Sequence, residues 1–507
     1  MNLPRLLRCV IRALALTIAV ISLARAQTAA PASVAPHSVP LEFASDRFGV
    51  TVNGKPVTVF FAAMNIHFAS FDFTGDADVR VEIKNADYNR QDGKTLIKPD
   101  DYWQGRAVVR PLSRDVQPKT DRRNVTFTLK RPGQYSIERP TNGGFEDEVL
   151  FLFANAPEKN APLASDPNVL WLGPGVHYRN IDLSSGQTLY LAGGAVLFGC
   201  VNVWDAENVR LCGRGTIVYY GPQSRNVDTS WKHERYFHPL TTHAVKGLSV
   251  EGVTFVGRSR GWTIQMWQTF DATFDNIKII AAFPENLNGD GMDWYGGGRA
   301  TVRDSFFRVA DDCFCIHPAD ASRALRTDRG GGGHLPGAQT VTPATSGEVS
   351  DITIERCVFW PTIANIFRAG WINQSLTSHG ITLRDCDVIH ISSHEWMGAN
   401  DALFSVVSPN GQGNSRHSDY LFENIRCEEP AALLAVNWTQ AQFRNIRFKD
   451  IQLTAGAAKG LLRANADGLS FENIRVADRP ATSAQDLKLT LEGDIRNVIF
   501  SPEAPRR

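Results

Sequence analysis

Two short segments hold the residues whose types and spacing suggest chemistry. Asn288-Gly289-Asp290-Gly291-Met292-Asp293 is followed by Asp311-Asp312-Cys313-Phe314-Cys315-Ile316, so Asp290 precedes Asp311 and Asp312 by 21 and 22 residues. Between them, Arg299 to Phe307 reads as one short strand and its turn. If 21 residues make one coil of a stacked repeat, the three carboxylates face each other on neighbouring coils. Crowded like charges raise one carboxyl pKa and leave another ionised, which divides the roles of acid and base within one site. Such chemistry requires no cofactor. No cysteine or histidine spacing here suggests a metal: Cys313 and Cys315 alternate along one strand and share a face.

The elements that must position these residues repeat. Leu248-Ser249-Val250-Glu251-Gly252-Val253-Thr254-Phe255 aligns with segments starting at Ala272, Ala300, Ile352, Ile381, Tyr420, Ala441 and Leu469. The spacings are 24, 28, 52, 29, 39, 21 and 28 residues, and the larger ones imply inserted loops, chiefly over 318–350. A unit of 21–29 residues built from short strands and polar turns, without helical periodicity, predicts a parallel β-helix. Each coil stacks about 4.8 Å from the next, and only stacking buries its inward Phe, Val, Ile and Cys.

The chain has 507 residues, enough for two domains. Residues 1–26 combine Arg5, Arg8 and Arg12, an apolar run from Ala13 to Leu23, and Ala24-Arg25-Ala26, the pattern of a secretory signal peptide cleaved near Ala26. The run is shorter than the ~20 residues a membrane span needs, so a secreted or periplasmic protein is expected. Residues 27–40 read as a flexible leader. From 41 to 154 the signals are β: Asn53-Gly54 between Val50-Thr51-Val52 and Val57 marks a hairpin, and Ala77 to Ile83 and Asn124 to Leu129 alternate. These predict a small antiparallel β-sandwich, followed by a proline-punctuated linker over 155–168 and a β-helix over 169–507. The 53 Lys+Arg balance 53 Asp+Glu, which offers no footprint for nucleic acid. Seven cysteines follow the signal segment, an odd number scattered through strand-like segments. They read as buried apolar side chains with at most one or two bridges.

Gly173-Pro174-Gly175-Val176-His177, Leu189-Tyr190-Leu191-Ala192-Gly193-Gly194-Ala195-Val196 and Gly213-Arg214-Gly215-Thr216-Ile217 resemble the opening coils of polygalacturonase-type glycoside hydrolases. The two aspartate segments resemble that family's catalytic signature, and the resemblance runs over about residues 168–500. It implies a right-handed parallel β-helix and hydrolysis by inversion. Asp311 would be the general acid, and Asp290 with Asp312 would activate water. The family's Gly-His-Gly coil and Arg-x-Lys element are missing from their expected places; Ala364-Asn365-Ile366-Phe367-Arg368-Ala369-Gly370-Trp371 stands at the former. That ending, with a sandwich ahead of the helix, is similar to the dextranase and isopullulanase family, which acts on neutral glucans. An acidic or a neutral polysaccharide or oligosaccharide is therefore the expected partner.

Aromatic faces bind the apolar faces of sugar rings. Trp262, Trp267, Trp294, Tyr295, Trp360, Trp371 and Trp396 lie near the proposed cleft, and Trp294 and Trp371 are the expected substrate contacts. Asn288 could orient Asp290, His317 could tune a carboxylate, and Arg368 could meet an acidic sugar or pair with a neighbouring coil. Asp293 is expected to support its turn. Two other functions use the same architecture: a calcium-dependent lyase of the pectate-lyase type, and a non-catalytic carbohydrate-binding module whose aspartates only cap turns.

Overall fold

The protein is described by a computed structural model over residues 32–63, 65–85, 102–103, 105–139, 144–145, 148–220, 238–258, 261–317, 348–370, 375–408 and 414–502. The expected signal peptide, Trp371 and residues 318–347 of the inserted loop lie outside them. No helix among the described residues is long and apolar enough to cross a membrane.

Two sheets of six and five strands form the N-terminal sandwich. The Asn53-Gly54 hairpin forms as expected: Phe48–Val52 pairs antiparallel with Lys55–Val57, and both turn residues have positive φ (47° and 76°). Val50, Val81 and Phe127 of the smaller sheet face Phe71, Ile137 and Leu152 of the larger across one apolar core. Two features differ from expectation. The stretch read as a flexible leader contributes strand Ser33–Pro36, paired antiparallel with Ile66–Thr74, and Val34 enters the core. Four residues are too few for alternation to show in a sequence. The larger sheet is also mixed, because Val149–Asn155 runs parallel to Ile66–Thr74.

From Val169–Leu172 onward the chain winds as a parallel β-helix whose strands join an 18-stranded and a 12-stranded sheet. One core runs the length of the coils, from Leu189 through Phe274 and Phe314 to Phe471. The recurring Asn or Asp in the repeats takes a left-handed corner: Asn276, Asp304, Asp385, Asn424, Asp450 and Asn473 all have φ near +50 to +58°. Asn and Asp adopt this conformation more readily than other non-glycine residues. Their N–H groups then bond to the next coil, as in Asp304 N to Glu355 O at 3.1 Å, and side chains ladder, as in Asn424 Nδ2 to Asp385 Oδ1 at 2.6 Å. All seven cysteines in the described residues are free and buried; they pack as apolar side chains, and no bridge forms.

The sandwich docks on the outer face of the 12-stranded sheet. Phe60, Phe68, Phe151 and Phe153 meet Ile280, Phe306, Val358 and Trp360 in a second apolar seam. Each fully buried Phe contributes about 1.5–3 kcal/mol. Alternation explains the double use of this sheet: Phe306 faces the sandwich while Phe307 faces the helix core.

A buried polar cluster closes one end of the seam. His390 bonds through Nε2 to Glu138 Oε2 of the sandwich (2.7 Å) and through Nδ1 to Glu429 Oε1 (2.6 Å). Burial opposes its charge, but the two carboxylates win and raise its pKa to about 9. A histidine raised above its unfolded value of about 6.5 stabilises the fold fully below that pH. The contribution disappears as pH rises through 9. Stability to urea should therefore fall between pH 6.5 and 9.5 by about 3 kcal/mol more in the native protein than in the Glu138→Gln/His390→Gln double variant. Parallel pH profiles for the two would refute this role.

Candidate active site

The three aspartates lie where the chain passes from the 12-stranded to the 18-stranded sheet. Asp290 sits between strands Lys278–Ala281 and Met292–Arg303, and Asp311-Asp312 between Phe306–Val309 and Phe314–His317. The register Met292↔Phe314↔Phe367, carried back two residues, stacks Asp290, Asp312 and Asn365 on successive coils. The glycines of Asn288-Gly289-Asp290-Gly291 are demanded by this crowding. A Cβ on Gly289 would strike the carbonyl oxygen of Ala281, and one on Gly291 the carbonyl oxygen of Cys313.

Each of Asp290, Asp311 and Asp312 presents a carboxylate oxygen within 4.8 Å of the other two. Their surroundings differ. Asp312 is fully buried and tightly held: Asn365 donates from its backbone N (2.9 Å) and Nδ2 (3.0 Å) to Oδ1, and Arg368 Nη1 lies 2.8 Å from Oδ2. Asn365 cannot be turned around, because its Oδ1 accepts the Ala402 N–H at 2.9 Å. Asp290 is buried, and its Oδ1 has no hydrogen-bond partner among the described residues. Asp311 keeps 16% of its side chain exposed and lies 3.6 Å from Arg368 Nη1. It is the member of the trio that reaches solvent.

Burial first, then the charges of Asp311, Asp293 and Asp312, push the Asp290 carboxyl well above its usual range. Burial and the neighbouring Asp312 raise Asp311 to about 7. Burial raises Asp312 as well, while Arg368 and Asn365 hold it down. Burial and crowding thus favour the protonated form of Asp290 and Asp311, and Asp312 is the best stabilised anion of the three. The stronger push falls on Asp290, but only Asp311 can present a proton to a bound molecule.

The remaining expected residues fall in different places. Arg368 pairs with Asp312 and Asp311 of the neighbouring coil. Asp293 and His317 bond to each other (Oδ1 to Nε2, 2.8 Å), and His317 Nδ1 meets Gly370 O at 3.1 Å. Asp293 is therefore a strand residue with a histidine partner. Asn288 is exposed, and no hydrogen bond joins it to Asp290 among the described residues. Trp294 is a correction. It shares strand parity with Met292, is fully buried in the helix core and packs near Phe314, so it cannot touch a substrate. Trp360 is spent in the seam with the sandwich. Trp262, Trp267 and Tyr295 form a buried cluster of their own on the outside of the coils, with Tyr295 stacked 4.4 Å from His317. Among the described residues of the set, Trp396 is the exposed one, at 39%, and its ring centroid lies 5.7 Å from the Arg368 guanidinium carbon.

Asn365, absent from the expected site, proves central to it. Its place one coil beyond Asp312, in the same corner, was the available signal. Among the described residues, two groups of side chains have the geometry to hold a metal ion: the trio, and Asp293, Cys315 and His317. In the first, the Arg368 guanidinium already supplies the positive charge. In the second, burial keeps the Cys315 thiol protonated and His317 is bonded to Asp293.

Fold and site together describe a parallel β-helix with three clustered carboxylates at one corner. Comparison with known proteins agrees with the resemblance read from the sequence. No family model matches. A probable exopolygalacturonase B of Emericella nidulans is 31% identical over 125 residues, which is 23% of this chain and 28% of that protein's length. Dex49A of Penicillium minioluteum superposes with a TM-score of 0.55 at 16% identity, covering 91% of this chain and 95% of its own. An exopolygalacturonase of Thermotoga maritima gives a TM-score of 0.41 at 13% identity over 66% of this chain and 84% of its own. The fold is that of the right-handed parallel β-helix enzymes.

Proposed function

We propose that the protein is an exported glycoside hydrolase that cleaves O-glycosidic bonds of a polysaccharide or oligosaccharide. Asp311 protonates the leaving oxygen, and Asp290 with Asp312 activates the attacking water. The observation that carries this reading is the trio: three carboxylates with oxygens within 4.8 Å, one anchored as an anion, one buried, one open to solvent. Glycoside hydrolysis needs one protonated and one ionised carboxyl across the bond. Turn-capping aspartates need no such desolvation. A calcium-dependent lyase is disfavoured by the guanidinium already lodged among the carboxylates.

Two-carboxylate inverting sites usually separate their groups by about 6.5–9.5 Å, and retaining ones by about 5 Å. The spacing here is short, yet inversion is the better reading. A retaining nucleophile must reach the anomeric carbon, and Asp312 is pinned by Asn365 and Arg368 while Asp290 is buried.

The test is reducing-sugar release from polygalacturonate, dextran, pullulan and other plant and microbial glycans, followed by NMR of the first-formed anomer. Hydrolysis with inverted configuration is expected. Ultraviolet-absorbing unsaturated products would instead establish a lyase. Binding without cleavage in the whole panel would establish a carbohydrate-binding module.

A further inference from the structure

Asp293 and His317 form a buried titratable pair that the proposed hydrolysis does not use. Asp293 follows Asp290 on one coil, and His317 follows Asp311 and Asp312 on the next. The register Asp293↔Cys315↔Arg368 puts Asp293 in one file with the guanidinium that holds Asp312. His317 is enclosed: Tyr295 stacks on its ring at 4.4 Å and 7°, and Trp262, itself stacked on His238, lies 5.2 Å away.

Both ring nitrogens of His317 face acceptors. Nδ1 lies 3.1 Å from the carbonyl oxygen of Gly370, and Nε2 lies 2.8 Å from Asp293 Oδ1. A carbonyl oxygen donates nothing, so the hydrogen of that bond sits on Nδ1. Nε2 then meets a carboxylate oxygen, and two bare lone pairs at this distance repel, so a second hydrogen lies between them. The pair thus holds one proton beyond that of a neutral imidazole. The other ionisable groups around His317 among the described residues are Tyr295, the Cys315 thiol and, one coil on, Arg368.

We propose that His317 is a positioning residue of the hydrolytic site: it shares a proton with Asp293, and so holds a fourth carboxylate beside the trio while offsetting its charge. The inference rests on the glycosidase reading for its kinetic consequence, whereas the shared proton can be read without it. Asp293 acts on the trio through Asp290. Burial raises the Asp290 carboxyl most, then the charges of Asp311, Asp293 and Asp312, with Arg368 opposing. A fourth anion without its proton would raise the trio further, and its removal would lower it.

The experiment uses the full chain with ¹⁵N-labelled histidine. At pH 7 His317 should show two protonated ring nitrogens in the native protein and one in Asp293→Asn, whose amide can donate to the bare Nε2. The signal is identified by its absence in His317→Gln. Activity is then followed against pH on the glycan of the panel that is cleaved fastest. In Asp293→Asn the profile of kcat/KM should move to lower pH by about one unit, and in His317→Gln to higher pH by about as much. Should His317→Gln fail to fold, the spectra and the profile of the isosteric Asp293→Asn decide alone. A single protonated nitrogen in the native protein overturns the proposal, as do profiles that stay fixed or move together; hydrolysis itself is untouched by these results. A stoichiometric divalent ion found by elemental analysis and lost in Cys315→Ser overturns it in favour of a metal site. Absence of cleavage across the panel overturns the hydrolase reading and the positioning role with it, while the shared proton stands or falls on the spectra.

Discussion

Replacing Asp311 by Asn should lower kcat by about 10²- to 10⁴-fold, the range for loss of a general acid, while leaving KM and thermal stability close to native. The side chain is the exposed member of the trio, so an isosteric amide leaves the coil packing untouched. The pH profile gives the sharper signature. An acid must be protonated to act, and burial together with Asp312 raises Asp311 to about 7. Native activity should therefore decline as pH rises through 7, and the residual activity of Asp311→Asn should show no such decline. An aryl glycoside with an acidic leaving phenol needs little protonation and should recover much of the loss. If the alkaline decline persists in the variant, the acid is another residue, and Asp290 is the first to test because it carries the stronger upward push.

Replacing Arg368 by Met should produce the largest combined loss of stability and activity. The guanidinium lies 2.8 Å from Asp312 and 3.6 Å from Asp311 in a buried corner, and removing one partner of a buried pair costs about 3–5 kcal/mol. The loss should depend on pH. Without Arg368 both carboxyls rise further above their unfolded values. A carboxyl with a raised folded pKa stabilises at low pH, and that contribution is lost as pH climbs through the shifted value. The variant should thus approach native stability near pH 4 and fall furthest behind near pH 8 in urea titrations. The limbs of its activity profile should move to higher pH. Arg368→Lys keeps the charge but not the planar fork, and should recover part of the stability. A loss independent of pH would assign Arg368 a packing role instead.

Both predictions rest on a site largely legible in the sequence. Asp290, Asp311 and Asp312 were placed by their spacing, because an uninterrupted coil here takes 21–29 residues and returns like positions to one corner. The cation was visible as Arg368, and pairing with a neighbouring coil was one of the two roles expected of it. Trp294 was misplaced for a reason also present in the sequence. In strand Met292–Arg303 side chains alternate, so a tryptophan two residues from Met292 faces inward with it, while Asp293 and Tyr295 face out. Chemical suitability for a sugar was weighed ahead of strand parity.

The sequence by itself determined the coil repeat, the left-handed Asn and Asp corners, the Asn53-Gly54 hairpin and the carboxylate trio. All of these follow from local conformational preference and from a period that stacking converts into proximity. Only the tertiary structure decided which face of the helix the sandwich covers, and that Asn365 and Arg368 hold Asp312. These depend on contacts between residues far apart in the chain, such as Phe151 with Phe306 or Glu138 with His390. Neither partner of such a pair carries a mark of the other in its own sequence neighbourhood.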